Sequence, residues 1–310
     1  MEVKNMSKKL IGKSMLLISV TLFFSIFTLG GFASAQETEK LKYSIKLLEY
    51  GKVEKYPISG LIYGAHNEGT QQLPFFYNLI QDNGNNILFD IGFRSGLEDG
   101  QKDWIRYINA VEVETPAEVL AKVGLKPEDI NKVVLSHLHF DHAGNVDQFP
   151  KAHFYLQKSE LAGWVSSLAL PERVRDWLWL GVDLNHINDL IHVAAEGRLT
   201  LIENDKFEIT KGIVAHLADG HTFGTQFITV ETKKGLFALS QDVVYTYRNA
   251  KSYIPNGYGI DNLDMLKALH KVLQTVDGDL SRLVPAHDTE VFSKFPTKQV
   301  GKNKIVNIVD

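Results

Sequence analysis

The run His137-Leu138-His139-Phe140-Asp141-His142 constrains this chain more than any other feature. It packs three imidazoles and a carboxylate into six positions. It directly follows Val133-Val134-Leu135, the apolar centre of a segment, Lys132–Ser136, that reads as a short buried strand. A rigid strand end can aim several side chains of the following loop at one point, and His at i and i+2 share a side where the backbone stays extended. Neutral imidazoles with a carboxylate suit zinc and similar divalent metals. A solvated loop has no need of this density of His, so the run is read as part of a metal site. The chain has no Cys. No thiolate can complete the site, and no disulfide can staple the fold.

The remaining ligands must come from elsewhere in the chain. His221 lies in the glycine-flanked turn Asp219-Gly220-His221-Thr222-Phe223-Gly224, Asp242 follows the apolar strand Leu236–Ser240, and His287 follows a late strand, Arg282–Val284. Each alone is an ordinary turn residue. Together they occupy strand ends or turns, where a common rim of the sheets could gather them.

Around these positions the pattern alternates between strand and helix. Tyr43–Tyr50, Ile58–Tyr63, Phe75–Ile80 and Asn86–Ile91 read as strands, the last two paired across Asn83-Gly84. Thr115-Pro116-Ala117-Glu118 opens a helix with a capping box and a Pro at the first helical position, and Gly124 ends it. Residues 158–196 read as helical and carry Trp164, Trp177 and Trp179, which at helical spacing pack on the body rather than cover a substrate. Strands return at Thr200–Glu203, Phe207–Ile209 and Ile213–Leu217, and Phe227–Thr232 pairs with Leu236–Ser240. Asp261–Val276 reads as an amphipathic helix with Leu263, Leu266, Leu269 and Val272-Leu273 on one side. No linker interrupts residues 36–310. The expectation is a single mixed α/β (α+β) domain, with sheets covered by helices on their outer faces.

The first 35 residues stand apart. Lys4, Lys8, Lys9 and Lys13 precede an uncharged apolar run, Met15–Leu29, and Ala33-Ser34-Ala35 offers small residues for cleavage before Gln36. This is the layout of a secretory signal peptide, and the run is shorter than a spanning helix needs. Export to the periplasm or the medium follows as an expectation, with no stable membrane insertion after cleavage. The leader carries four Lys and one Glu, so removing its +3 takes the chain from −4 to −7. Basic residues are scattered without a stripe, which argues against nucleic acid as a partner.

The order HxHxDH, His, Asp, His resembles the metallo-β-lactamase superfamily from the Asn86–Gly92 strand to His287. That resemblance implies an αββα sandwich with two divalent metals, zinc foremost, at one edge of the sheets. His137, His139 and His221 would hold the first metal, and Asp141, His142 and His287 the second. Asp242 would bridge both. Asp90, in Leu88-Phe89-Asp90-Ile91-Gly92, matches a family position that supports the site without binding metal, although a plain turn residue reads equally well there. Absence of Cys excludes β-lactamases with a Cys ligand, and Asp242 sets the chain apart from those without a bridging Asp.

The stretch from Asp242 through Tyr245 and Tyr247 to Asn249, and the segment His139–Asn145, resemble the quorum-quenching N-acyl homoserine lactone lactonases. The resemblance implies a small-molecule substrate whose lactone ring is opened by a hydroxide held between the metals. Tyr245 would donate to the oxyanion and Asp141 or a metal-bound water would protonate the leaving oxygen, with Tyr247 as the alternative phenol if the strand continues. A secreted aryl esterase or organophosphate hydrolase of the same superfamily is the second expectation, and a mono-iron thiol dioxygenase the third. The family often forms dimers, which makes a homodimer an expectation as well.

Overall fold

Side-chain alternation along one long strand divides the interior in two. In β1 (Ser44–Pro57), Ile45 and Leu47 enter one apolar cluster while Leu48 and Tyr50 enter another. The neighbouring β2 (Thr70–Asp82) repeats the division, with Phe76 and Ile80 on the first side and Phe75, Tyr77 and Leu79 on the second. A strand buried on both faces needs cover on both, and each fully buried Leu or Ile contributes roughly 1.5–3 kcal/mol. The computed structural model, which describes residues 43–82, 84–93 and 108–310, supplies that cover. The leader expected over residues 1–35 and Asn83 of the hairpin lie outside the described residues. Those described belong to one compact unit.

The first sheet continues from β1 and β2 through β3 (Asn85–Phe89), with β4 (Ala110–Val111) pairing on β1. Beyond β3 come β5 (Lys132–Val134), β6 (His153–Gln157) and β7 (Leu199–Ile202), all parallel. The second sheet contains β8 (Lys206–Thr210), β9 (Ile213–Leu217), β10 (Gln226–Thr232), β11 (Gly235–Gln241) and β12 (Leu283–Pro285) in the order β12-β11-β10-β9-β8. The C-terminal hairpin, β13 (Thr297–Val300) and β14 (Asn303–Val309), returns to the first sheet beside β1.

Helices complete the layers. α1 (Ile58–Leu61) follows β1, and α2 (Pro116–Ala121) packs Val119 and Leu120 against the first sheet. The one-turn α3 (Phe140–Ala143) carries part of the His-rich run. α4 (Lys158–Ser167), α5 (Glu172–Leu178) and α6 (Leu184–Ala195) occupy the region expected to be helical. Trp164 is fully buried there, whereas Trp177 is 61% exposed. α7 (Tyr247–Ser252) follows β11, and α8 (Asn262–Thr275) lays Ala268, Leu269 and Val272 on the second sheet. α9 (Val291–Lys294) leads into the last hairpin. The αββα sandwich expected from the sequence is the fold observed.

Three local expectations are corrected. Ile58–Tyr63 is not a strand: β1 runs on to Pro57, and Ile58–Leu61 then forms a helical turn. A short apolar run does not distinguish the two states by period. The helical turn packs closely on Gly257, where a side chain would overlap the Ser59 carbonyl. In α8, Leu263 is 62% exposed and Met265 takes the buried stripe with Ala268, Leu269 and Val272. Tyr247 does not continue a strand, because the chain leaves β11 at Gln241, whose φ is +43°.

The turn after β3 ties the sheet to the His-rich loop. Ile91 N–H donates to His142 O at 2.9 Å, Gly144 N–H to Gly92 O at 2.7 Å, and Asn145 Nδ2 to Ile91 O at 2.7 Å. Gly92 has φ +59°, and a Cβ there would overlap the rings of Tyr50 and Tyr77. Gly92→Ala therefore combines a left-handed backbone with overpacking and is expected to cost about 2–3 kcal/mol. A urea denaturation midpoint equal to wild type would contradict this account.

Candidate metal centre

Strand direction decides where the polar residues meet. β3 and β5 are parallel, β11 and β12 are parallel, and β9 runs with β11 across the antiparallel β10. The carboxyl ends of these strands therefore lie at one edge of the sandwich, the usual place for ligand sites in such sheets. Asp90 follows β3, His137 follows β5, His221 lies in the turn after β9, Asp242 follows β11, and His287 follows β12.

All seven residues expected as ligands are brought together. His137, His139, His221 and Asp242 form one cluster that could hold a metal ion, and Asp141, His142 and His287 form another. Asp242 is divided between them. Its Oδ2 lies 3.1 Å from His221 Nε2 and 3.5 Å from His137 Nε2, while its Oδ1 lies 3.2 Å from both His142 Nε2 and His287 Nε2. Asp141 Oδ2 approaches His142 Nε2 at 3.3 Å and His287 Nε2 at 3.7 Å. The two clusters, sharing one carboxylate, make a dinuclear metal site.

The contacts within the site fit a cation better than hydrogen bonding. His139 Nδ1 lies 2.9 Å from His137 Nε2 and 3.0 Å from His221 Nε2, so three ring nitrogens converge in a buried space. His142 Nε2 and Asp242 Oδ1 are buried without a hydrogen-bond partner among the described residues, although they lie 3.2 Å apart. Unsatisfied buried groups of this kind are rare and costly, and a shared divalent cation would satisfy them.

The outer nitrogens of the same rings explain the aim. His142 Nδ1 is 2.7 Å from Asp90 Oδ2, and His137 Nδ1 is 2.8 Å from Ser136 Oγ. His221 Nδ1 lies 3.0 Å from Tyr258 O, and His287 Nδ1 3.0 Å from Pro74 O. Each anchor takes the Nδ1–H and leaves Nε2 facing inward. Asp90 also accepts from Ser136 N–H, Ser136 Oγ and Gln241 Nε2, and is fully buried with φ +65°. The sequence left its role open between support and a plain turn; the structure makes it support.

Protonation divides the two clusters. Burial pushes His137 well below its ordinary value, helped by His142, and takes His139 down to about 3, helped by His221. Burial acts the same way on His142 and His287 and is the largest single influence, but the surrounding carboxylates together exceed it: Asp242, Asp141 and Asp90 hold His142 well above its ordinary value, and Asp242 with Asp141 raises His287. Burial pushes the Asp242 carboxyl up, yet His142 and His287 pull it further down, well below the carboxylate range.

Tyr245 is buried, its ring 5.6 Å from that of His221 and 5.2 Å from that of His287. It lines a cavity of about 320 Å³ together with His139, Asp141, Asp242 and His287. Leu73, Phe75 and Ile108 line the same cavity with apolar surface. Tyr247, the alternative phenol, is fully buried elsewhere and donates from its hydroxyl to Leu283 O.

Sequence reasoning missed Asn256 and Tyr258. Asn256 is buried, accepts from Tyr245 N–H at 3.1 Å and donates to Asp242 O. Tyr258 lines the cavity while its carbonyl anchors His221. Gly257, wedged against Ser59 and Gly60, was the available sign that this loop is packed tightly.

Comparison with known proteins agrees with this geometry. The family model for the metallo-beta-lactamase superfamily matches residues 76–287. An N-acyl homoserine lactonase of Bacillus cereus is 28% identical over 173 residues, 56% of this chain and 61% of that protein. N-acyl homoserine lactonase AiiB of Agrobacterium fabrum (strain C58) is 28% identical over 242 residues, 72% of this chain and 82% of that protein. The chain spans less than two thirds of the length of the Bacillus relatives it matches, 61% to 64%. Among solved structures, AidC, a dizinc quorum-quenching lactonase in complex with a product, superposes with a TM-score of 0.61. It is 18% identical over 87% of this chain and 96% of that one, which shows a shared fold.

The protonation pattern predicts how metal enters. His142 and His287 keep their protons above the ordinary imidazole value, so a metal at neutral pH must displace them. Raising the pH through those values removes the competitor and tightens binding, whereas His137 and His139 are already neutral. Calorimetric titration of the metal-free protein in buffers of different ionisation enthalpy is expected to show about one to two protons released per chain. Release of none at pH 7 would contradict the assignment.

Proposed function

This chain belongs to the metallo-β-lactamase superfamily, and from that premise we propose that it is a metal-dependent hydrolase that opens the lactone ring of N-acyl homoserine lactones. The observation that carries the proposal is the division of Asp242 between two histidine clusters, with the phenol of Tyr245 beside both. The N-acyl homoserine lactonases among its relatives support the substrate class.

His137, His139 and His221 would hold one metal, Asp141, His142 and His287 the other, and Asp242 would join them. Imidazole and carboxylate donors without thiolate favour zinc. Two such ions would supply a hydroxide nucleophile near neutral pH and Lewis acidity toward the lactone carbonyl.

The chain's own residues do the rest. Burial, with Asp242 adding to it, pushes the Tyr245 phenol well above its ordinary value, which favours its protonated, donating form. A donor fixed in a dry site stabilises the oxyanion as charge develops. Burial pushes the Asp141 carboxyl up, but the charge and hydrogen bond of His142, with His287 behind them, bring it below its ordinary value and keep it ionised. Asp141 therefore accepts a proton before it gives one: it takes the proton released as the nucleophile forms and passes it to the ring oxygen as the C–O bond breaks. The apolar wall of Leu73, Phe75 and Ile108 suits an acyl chain running away from the polar head.

Zinc-loaded protein tested on acyl homoserine lactones, simple lactones, aryl esters, methyl paraoxon and a β-lactam is expected to prefer the acyl lactones. Ester or phosphotriester turnover without ring opening would replace the lactonase reading with the esterase or organophosphate hydrolase one. Tyr245→Phe is expected to lower kcat about 10²-fold with both metals retained; an unchanged rate would remove Tyr245 from the chemistry. We also propose that the enzyme is exported, on the strength of the charged and apolar layout of residues 1–35. N-terminal sequencing of protein from the native culture should begin at Gln36, and an intact leader would refute this.

A further inference from the structure

One buried carboxylate has no part in the proposed chemistry. Glu160, in the first turn of α4, is fully buried and forms no ion pair among the described residues. Burial pushes its carboxyl up from the ordinary value, against the pull of the donors around it. Those donors number four. Leu138 N–H reaches Oε1 at 2.9 Å and Trp164 Nε1–H reaches it at 2.7 Å, while Thr222 Oγ and Gly224 N–H each reach Oε2 at 2.7 Å.

Two of these partners flank metal ligands. Leu138 lies between His137 and His139, and Thr222 follows His221. One carboxylate thus joins two loops that are 84 residues apart in sequence, from 138 to 222, and both belong to the first cluster. The packing beneath it is equally close. A Cβ on Gly224 would overlap the α4 backbone at Glu160, and one on Gly163 would overlap the Phe223 ring. Among the described residues no bond from Glu160 reaches the second cluster, whose His142 is held by Asp90.

We propose that Glu160 is a positioning residue for the first metal: it holds the His137–His139 loop and the His221 loop in register, so that their nitrogens converge without Glu160 touching the ion. The inference rests on the dinuclear reading of the site. Charge and acceptor capacity, rather than shape, perform the task. In Glu160→Gln one oxygen becomes an amide NH₂, which must face either Gly224 N–H or the pair Leu138 N–H and Trp164 Nε1–H. A hydroxyl such as Thr222's can turn; a backbone N–H cannot. One of the two loops is released whichever way the amide points.

Stepwise Zn²⁺ titration of the metal-free full chain against a competing chelator tests this. Wild type should bind two equivalents, and binding of only one would overturn the dinuclear reading itself, independently of Glu160. Glu160→Gln is expected to weaken one equivalent about tenfold or more, on the scale of outer-shell changes at metal sites, and to leave the other near wild type. The weakened equivalent should be the one lost in His221→Ala, so that the double variant binds no worse than His221→Ala alone. Two equivalents of wild-type affinity, with only the melting temperature lowered, would make Glu160 a packing residue and overturn the proposal. If Glu160→Gln fails to fold, Thr222→Val, which removes a single donor, decides the matter. A several-fold loss at the same equivalent is expected, and unchanged affinity would overturn the proposal.

Discussion

Crowding of lone pairs in a dry space governs this molecule. Five imidazoles and two carboxylates point their inner atoms into two adjoining clusters at one sheet edge, most of them with almost no solvent contact. Without a cation, the arrangement leaves His142 Nε2 and Asp242 Oδ1 buried and unbonded. Such a site is stable only if the surrounding structure holds each ring from behind. The bonds from Nδ1 of His137, His142, His221 and His287 to Ser136, Asp90, Tyr258 and Pro74 perform that task. The sandwich is in this sense a frame for the backs of the rings, and the parallel strands matter because they bring five chain segments to the same edge.

Asp90 and Gln241 show what the frame requires of the backbone. Both end strands, both have positive φ without being Gly, and their side chains bond to each other. Strained non-glycine positions cost roughly 1–3 kcal/mol each and persist where the surroundings over-determine them. Here one strained residue turns its carboxylate onto His142 and Ser136, and the other turns the chain so that Asp242 meets all four Nε2 atoms. The same turn explains why Tyr245 reaches the cavity and Tyr247 does not: past Gln241 the two-residue period of a strand no longer applies, and Tyr247 begins a helix.

Much of this was legible in the sequence because metal chemistry leaves residue types that can be recognised. The dense His137–His142 run marks a metal site by residue type alone, whereas His221, Asp242 and His287 join it in the sequence only through the family resemblance of their order. The capping box at Thr115 and Glu118 was legible for a local reason, since both partners lie within one turn. What stayed hidden was held by long-range contacts between common residue types. Asn256 bonds to Asp242 and Tyr245, and Glu160 to Leu138 and Thr222, with no motif to mark either. The Ile58–Tyr63 run reads as a strand because a short apolar stretch has no period that separates strand from helical turn, whereas Ile58–Leu61 is a helical turn.

The two halves of the site are therefore held by different parts of the fold. The second cluster leans on Asp90, a residue of the sheet itself, with Gln241 and Ser136 around it. The first leans on α4 through Glu160, an element of the outer helical layer. Asp242 belongs to both, and its own backbone is held by Asn256 in a third segment. A disturbance in the outer layer thus reaches the first cluster first, while one in the sheet reaches both, because Ser136 Oγ bonds Asp90 on one side and His137 Nδ1 on the other. The bridging carboxylate couples them, because any shift of Asp242 toward one pair of nitrogens is a shift away from the second pair. This geometry makes the spacing between the two clusters a property of the whole sandwich rather than of the His-rich loop that first identified the site.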